Sequence, residues 1–125
     1  MDVLTAVCQV LAVDPNTVEV NYTFVRKGVI RQLNSKFRQV DKVTDVLSFP
    51  DGDLNPETGK KFMGDVLICK AVARKQARSL DHSLAREITF LQVHGTLHLF
   101  GYDHIEPDDE AKMLGRQREI MALLS

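Results

Sequence analysis

Between Ser83 and Phe100 the chain places Ile88, Leu91, Val93, Leu97, Leu99 and Phe100 around almost every side of one helical turn after another. A helix with so little polar surface has to be enclosed by other elements rather than laid on them. This segment therefore predicts a central helix about 27 Å long, with Ser83 as its N-cap and the rest of the fold built around it. Gly95 interrupts the run at a cost of roughly 1 kcal/mol against alanine. Close approach of another backbone, or of a substrate, would account for it.

The same segment carries the chemistry. The run His94-Gly95-Thr96-Leu97-His98-Leu99-Phe100-Gly101-Tyr102-Asp103-His104 holds three of the four histidines. His94 and His98, at i and i+4, project from one helix face. Gly101 suits a left-handed cap that turns the chain back, which would bring His104 to the same point. Two histidines at this spacing are commonly structural. A third beyond a helix-stopping glycine points to a metal site. Three neutral imidazoles with a fourth position open are how a catalytic zinc is held, although such sites also accept nickel, cobalt or copper. His82, at the helix start, reads as a surface residue.

With 125 residues, 44% of them hydrophobic, the chain is sized for one domain, residues 1–125, with a real core. No apolar run is long enough to span a bilayer, and no basic segment followed by an apolar stretch marks a secretory signal. Cys8 and Cys69 belong to no C-x-x-C pair and sit among apolar residues, as buried free thiols of a reducing cytoplasm do. The net charge of −1 announces no polyanion partner, but its distribution is uneven. Arg26, Lys27, Arg31, Lys36, Arg38 and Lys42 face a single acid, Asp41. Arg74, Lys75 and Arg78 form a second basic cluster, and Asp103, Glu106, Asp108, Asp109 and Glu110 an acidic one. A phosphate-attracting face and a merely solvated one both look like this.

Periodicity places the remaining elements. Leu4, Val7, Cys8 and Leu11 predict a first helix with Asp2 as N-cap, ended by Asp14-Pro15-Asn16. Val18 to Phe24 alternates as a half-buried strand. A second helix spans 27–37 with Ile30, Leu33 and Phe37 facing inward. Val43 to Phe49 reads as a strand stopped at Pro50, and 50–61 as a surface loop. Val66 to Cys69 is a short buried strand entered through Gly64-Asp65, and a third helix covers 71–78. Pro107 and the acids after it open the last helix, whose inner stripe is Met113, Leu114, Gln117, Ile120, Met121 and Leu124. The expected fold class is α/β (α+β): one domain, with a small mixed β-sheet and helices packed around the central metal-binding helix.

A tri-histidine zinc lowers the pKa of its water to about 7, which suits attack on carbonyl carbon or on phosphorus. The spacing alone does not choose. Metzincin proteases share H-x3-H-x2-G-x2-H but have glutamate directly after the first histidine. Here Gly95 stands there, so the proton carrier that amide cleavage needs is missing from its place. Phosphodiester cleavage leans more on charge stabilisation.

The run from His94 to His104 resembles, at every fixed position, the signature H-G-x-L-H-L-x-G-Y-D-H of the YbeY family of bacterial endoribonucleases. Two further segments, Phe37 to Pro50 (FRQVDKVTDVLSFP) and Gly64 to Cys69 (GDVLIC), are similar to that family. The resemblance implies a single-strand-specific, metal-dependent endoribonuclease. It implies action in ribosomal RNA maturation at the 3′ end of the small-subunit RNA, and in ribosome quality control. Single-stranded RNA, ribosomal RNA and the small ribosomal subunit would be its partners in the cytoplasm, with no membrane or DNA involved. It implies one zinc ion per chain held by His94, His98 and His104. Arg38 falls where the family has its required arginine, so Arg38 and His98 are the candidate catalytic residues. A guanidinium there would grip a phosphate and stabilise transition-state charge. Asp103 stands between two readings, orienting a ligand histidine or fixing a turn. Asp45 and Asp65 read as turn residues, and Tyr102 as a packed loop aromatic rather than a base-stacking one. Family members usually begin with an extra strand before the first helix. This chain begins near that helix, which implies a sheet one strand short and leaves the oligomeric state open. Two rivals remain: a metzincin-like zinc hydrolase, and a non-catalytic ribosome-assembly factor with structural zinc. Structural zinc normally has four protein ligands, and neither cysteine has motif spacing to the histidines.

Overall fold

The computed structural model describes residues 1–125. Five helices and a three-stranded mixed sheet are arranged in chain order as α1 (Val3–Leu11), β1 (Val18–Phe24), α2 (Lys27–Arg38), β2 (Val46–Pro50), β3 (Lys61–Ile68), α3 (Lys70–Ser79), α4 (Leu84–Leu99) and α5 (Pro107–Leu124), with a 3₁₀ turn at Pro15–Thr17. No helix is long and apolar enough to cross a membrane. The sheet order is β1-β3-β2, with β1 parallel and β2 antiparallel to the central strand.

Alternation along β3 divides the interior. Val66 and Ile68 join Ala73 of α3 and Leu91 and Leu99 of α4 on one face. On the other, Leu67 and Phe49 pack with the buried Ile30 of α2, Leu47 and Cys69. Beyond α4, Ala6, Val7, Val93, Leu97, Met113 and Ile120 unite α1, α4 and α5. The central helix of the sequence reading is thus α4, with sheet and α3 on one side and α1 and α5 on the other. Its start is capped as expected, the Ser83 hydroxyl accepting from the Arg86 amide at 3.1 Å. Asp2 caps α1 in the same way through Thr5, and both cysteines are buried and free.

Two polar contacts fix α4 against the sheet. Ser48 Oγ donates to the Gly95 carbonyl at 2.9 Å. Thr96 Oγ1 lies 2.7 Å from the Tyr22 hydroxyl and 2.6 Å from the Gln92 carbonyl. The threonine has one proton and the carbonyl can only accept, so Tyr22 is the donor to Thr96. Burial pushes the Tyr22 phenol up to about 12, which keeps it protonated.

Several expectations need correction. β2 begins at Val46 rather than Val43, after a bend at Asp45 whose carboxylate takes the Val46 amide. Pro50 ends β2 from inside the strand; β2 is an edge strand, where a missing donor is tolerated. β3 starts at Lys61, not Val66. The register slips between Glu19 and Val20 of β1, with Phe62 and Gly64 as their successive partners, so β3 carries one extra residue. Gly64 takes φ +137° there, and a bulge replaces the expected strand entry. Phe37 and Leu114, read as inward-facing, are 54% and 44% exposed. Phe37 sits in the last turn of α2, where it packs edge-to-face with Phe49 beneath the Lys36 ammonium. Leu114 instead lines an open cleft. The reason for Gly95 also differs: a Cβ there would meet Val66 Cγ1 at 2.6 Å and Ser48 Oγ at 3.1 Å, so β3 and β2 side chains occupy its space.

Two glycines should therefore respond differently to alanine. At Gly64 a Cβ collides with the Phe49 carbonyl in a backbone conformation that alanine resists. Gly64→Ala is expected to cost at least ~3 kcal/mol. Gly95→Ala gains about 1 kcal/mol of helix propensity against roughly 1–3 kcal/mol of overpacking, for a net loss of about 1 kcal/mol. Urea denaturation of both variants checks the order; equal stabilities would contradict it.

Candidate metal centre

The site is assembled by the end of α4 and the turn that follows. The Gly101 amide donates to the His98 carbonyl and the Tyr102 amide to the Leu97 carbonyl, at 3.1 and 3.0 Å. Gly101 has φ +94°. These two bonds and that conformation make a Schellman cap, which sends the chain back across the helix end. Tyr102 packs against the α1–α4–α5 cluster, and the Asp103 carboxylate accepts from the Ile105 amide at 3.3 Å. His104 then returns over His94 and His98.

The three imidazoles meet. His94 Nε2 and His98 Nε2 are 3.1 Å apart, and one ring nitrogen from each of the three histidines lies within 4.8 Å of the others. No cysteine or carboxylate joins the group. Zinc–nitrogen bonds of about 2.0–2.1 Å at tetrahedral angles would separate neighbouring nitrogens by about 3.4 Å. The observed spacing brackets that value, and a three-nitrogen donor set suits a metal of zinc's class. Protonation states agree. Desolvation pushes His94 down to about 4, helped by the neighbouring His98. Burial also lowers His98, with the charges of His104 and Arg38 acting in the same direction. Neutral rings offer the lone pairs a metal needs.

A cleft of about 730 Å³ opens over the histidines. Arg38, the last residue of α2, lines it from the sheet side. The chain leaves α2 through Gln39 in the left-handed region, φ 57°. Buried Asn34 then donates to the Lys42 carbonyl at 3.0 Å and ties that loop down. The other basic residues of 26–42 are exposed on or beside α2, and Arg31 pairs with Asp41 at 2.8 Å.

The structure brings His94, His98, His104 and Arg38 to one cleft. Asp45 also lines it, but its carboxylate accepts from Val46 and from Gln76. Asp65 lies elsewhere, bonded to Asn21 of β1. His82 is not a plain surface residue: its Nε2 stands 3.3 Å from the carboxylate of Glu87, which is 2% exposed. Sequence reading passed over Glu87; the only hint was an acid inside the apolar run. It also took Gln117 for ordinary core. Gln117 is buried and lines the cleft beside His94, and its Nε2 has no partner. A polar residue in an otherwise apolar stripe was the available signal.

The fold and cleft together define a class: small α+β proteins in which one helix and its capping turn present three histidines able to hold a metal ion. Comparison with known proteins makes this specific. The endoribonuclease YbeY family matches residues 1–125, and the chain belongs to that family of RNA hydrolases. It is 45% identical over 112 residues to endoribonuclease YbeY of Staphylococcus epidermidis, spanning 85% of this chain and 72% of that one. Against the Staphylococcus saprophyticus protein of the same name it is 48% identical over 107 residues, 82% and 70% of the two chains. The solution structure of a Thermotoga maritima protein superposes with a TM-score of 0.58 at 25% identity, covering 98% of this chain and 81% of that one.

The depressed histidines set a pH dependence for the metal-free protein. Unfolded histidines take up protons near pH 6.5, while folded His94 resists until about pH 4. Over that interval the unfolded state binds more protons, so stability rises with pH and is lost as pH falls toward 4. Urea midpoints of chelator-treated protein should fall steadily from pH 7 to pH 4.5. His94→Asn should flatten the slope; an unchanged slope would show that His94 titrates normally.

Proposed function

We propose that residues 1–125 form a single catalytic domain that cleaves single-stranded RNA with one zinc ion held by His94, His98 and His104. Its role would be in ribosomal RNA maturation, at the 3′ end of the small-subunit RNA, and in ribosome quality control. The working partners would be ribosomal RNA and the small ribosomal subunit in the cytoplasm. The observation that carries this reading is the convergence of three imidazole nitrogens, within 4.8 Å, at the floor of a cleft that Arg38 also lines.

When bound, zinc supplies Lewis acidity and an activated water. The chain's own residues do the rest. Neutral His94 and His98 give up lone pairs without first losing a proton at neutral pH. The Schellman cap holds His104 at their side. Arg38 presents a fork of fixed N–H donors suited to two phosphate oxygens. Directed at the scissile phosphate, it steadies charge that grows as the attacking oxygen bonds to phosphorus. Position 95 does not offer the glutamate base of a peptidase, and a side chain there would run into Val66 and Ser48.

The test is cleavage of end-labelled single-stranded ribosomal RNA by protein of measured metal content. His98→Ala should lose both metal and activity. Arg38→Ala should keep the metal of the wild type yet cleave at least ~100-fold more slowly. Chelation should abolish activity and added zinc restore it. If wild type and both variants cut alike, the activity belongs to a contaminant and the reading fails.

A further inference from the structure

We propose that Phe37 is a stacking platform for a base of the single-stranded RNA, beside the phosphate that Arg38 holds; this rests on the endoribonuclease reading above. Phe37 and Arg38 are consecutive, at the last turn of α2. Arg38 lines the histidine cleft, while Phe37 stands outside it with 54% of its surface exposed. What distinguishes Phe37 among the exposed apolar side chains is its place, next in sequence to the arginine that lines the cleft. The ring is nevertheless held. It packs edge-to-face with Phe49 of β2, centroids 5.3 Å apart and planes at 74°, which braces the phenyl while about half of the residue stays exposed.

The surroundings select a polyanion. Lys36 Nζ lies over the Phe37 ring, 5.3 Å from its centroid; a base settling on that face would move the flexible lysine aside, toward the phosphate of the same nucleotide. The one acid of segment 26–42, Asp41, is already neutralised by Arg31. Arg26, Lys27, Lys36, Arg38 and Lys42 are in no ion pair. A protein partner covering an apolar patch here would have to bury or pair these charges, whereas an RNA strand brings its own phosphates. Flat aromatic rings flanked by lysines bind single strands through stacking that is indifferent to base identity. The consequence is selectivity for strand form: a base paired in a duplex has no free face to offer Phe37.

The chain contains no tryptophan, so Phe37→Trp installs a lone indole, excited apart from the two tyrosines, at the platform. The probe is a phosphorothioate-substituted single-stranded oligoribonucleotide, added to metal-loaded protein. The indole emission should fall as RNA binds. Phe37→Ala should bind the same RNA about tenfold more weakly, the effect of losing one base–aromatic stack, and Phe37→Trp should restore affinity. Oligonucleotides made abasic at one position at a time should reveal one base whose removal weakens wild type but not Phe37→Ala. Indole emission unchanged at saturating RNA, or Phe37→Ala binding as tightly as wild type, would overturn the platform while leaving the nuclease intact. Wild type that neither binds nor cuts single-stranded RNA would overturn the nuclease reading and the platform with it.

Discussion

In the C-terminal half of α4, Leu91, Val93, Leu97 and Leu99 are buried, and His94 and His98 occupy the side that opens to the cleft. Successive residues on a helix are about 100° apart. A slip of one position would drive an imidazole into the apolar cluster of α1 and α5. The hydrogen bonds from Ser48 to the Gly95 carbonyl and from Tyr22 to Thr96 oppose such a slip, since each demands one rotation and one height along the helix. Gly95 lets the sheet come near enough for both. The orientation of the histidines is thus set by packing on the far side of the helix from them.

Electrostatics reinforces this arrangement. The C-terminal end of α4 carries the negative end of its dipole, and His98 lies in the last turn with His104 just beyond. That end favours positive charge, while burial discourages protons on His94 and His98. A metal ion satisfies both demands; an imidazolium satisfies only one. At the opposite end Glu87 sits in the first turn, where a carboxylate is favourable, and its burial is relieved by His82. The positive charge of α2 stays outside, where phosphates arrive.

The histidine cluster was legible because its geometry is local. Helical spacing, a glycine and a short return place three side chains together, and packing of α4 against the sheet then sets where they point. Arg38 is different. Nothing in its own neighbourhood separates it from Lys36 or Lys42, and only resemblance to the family marked it. Its place in the cleft depends on how α2 crosses the sheet. Two of the strand errors share one cause: turn-forming residues were taken to interrupt structure. Gly64 and Pro50 both lie inside strands, one at a bulge and one at an edge. Phe37 and Leu114 show the limit of periodicity, which identifies a face but not where the neighbouring layer ends. Gln117 and Glu87 were hidden because a polar side chain on an inner stripe looks, in sequence, like an imperfection of the stripe.

Locality has a further consequence for how the molecule assembles. Joining His94 to His104 closes only a short stretch of chain, and the entropic penalty of closing a loop grows with its length. The triad therefore adds little closure entropy once α4 and its cap are in place. The cleft needs α2, the sheet and α5 all docked, through contacts distant in sequence. The histidine cluster and the cleft around it thus differ in kind: one is closed by neighbours in sequence, the other by elements that meet only when the whole chain has packed.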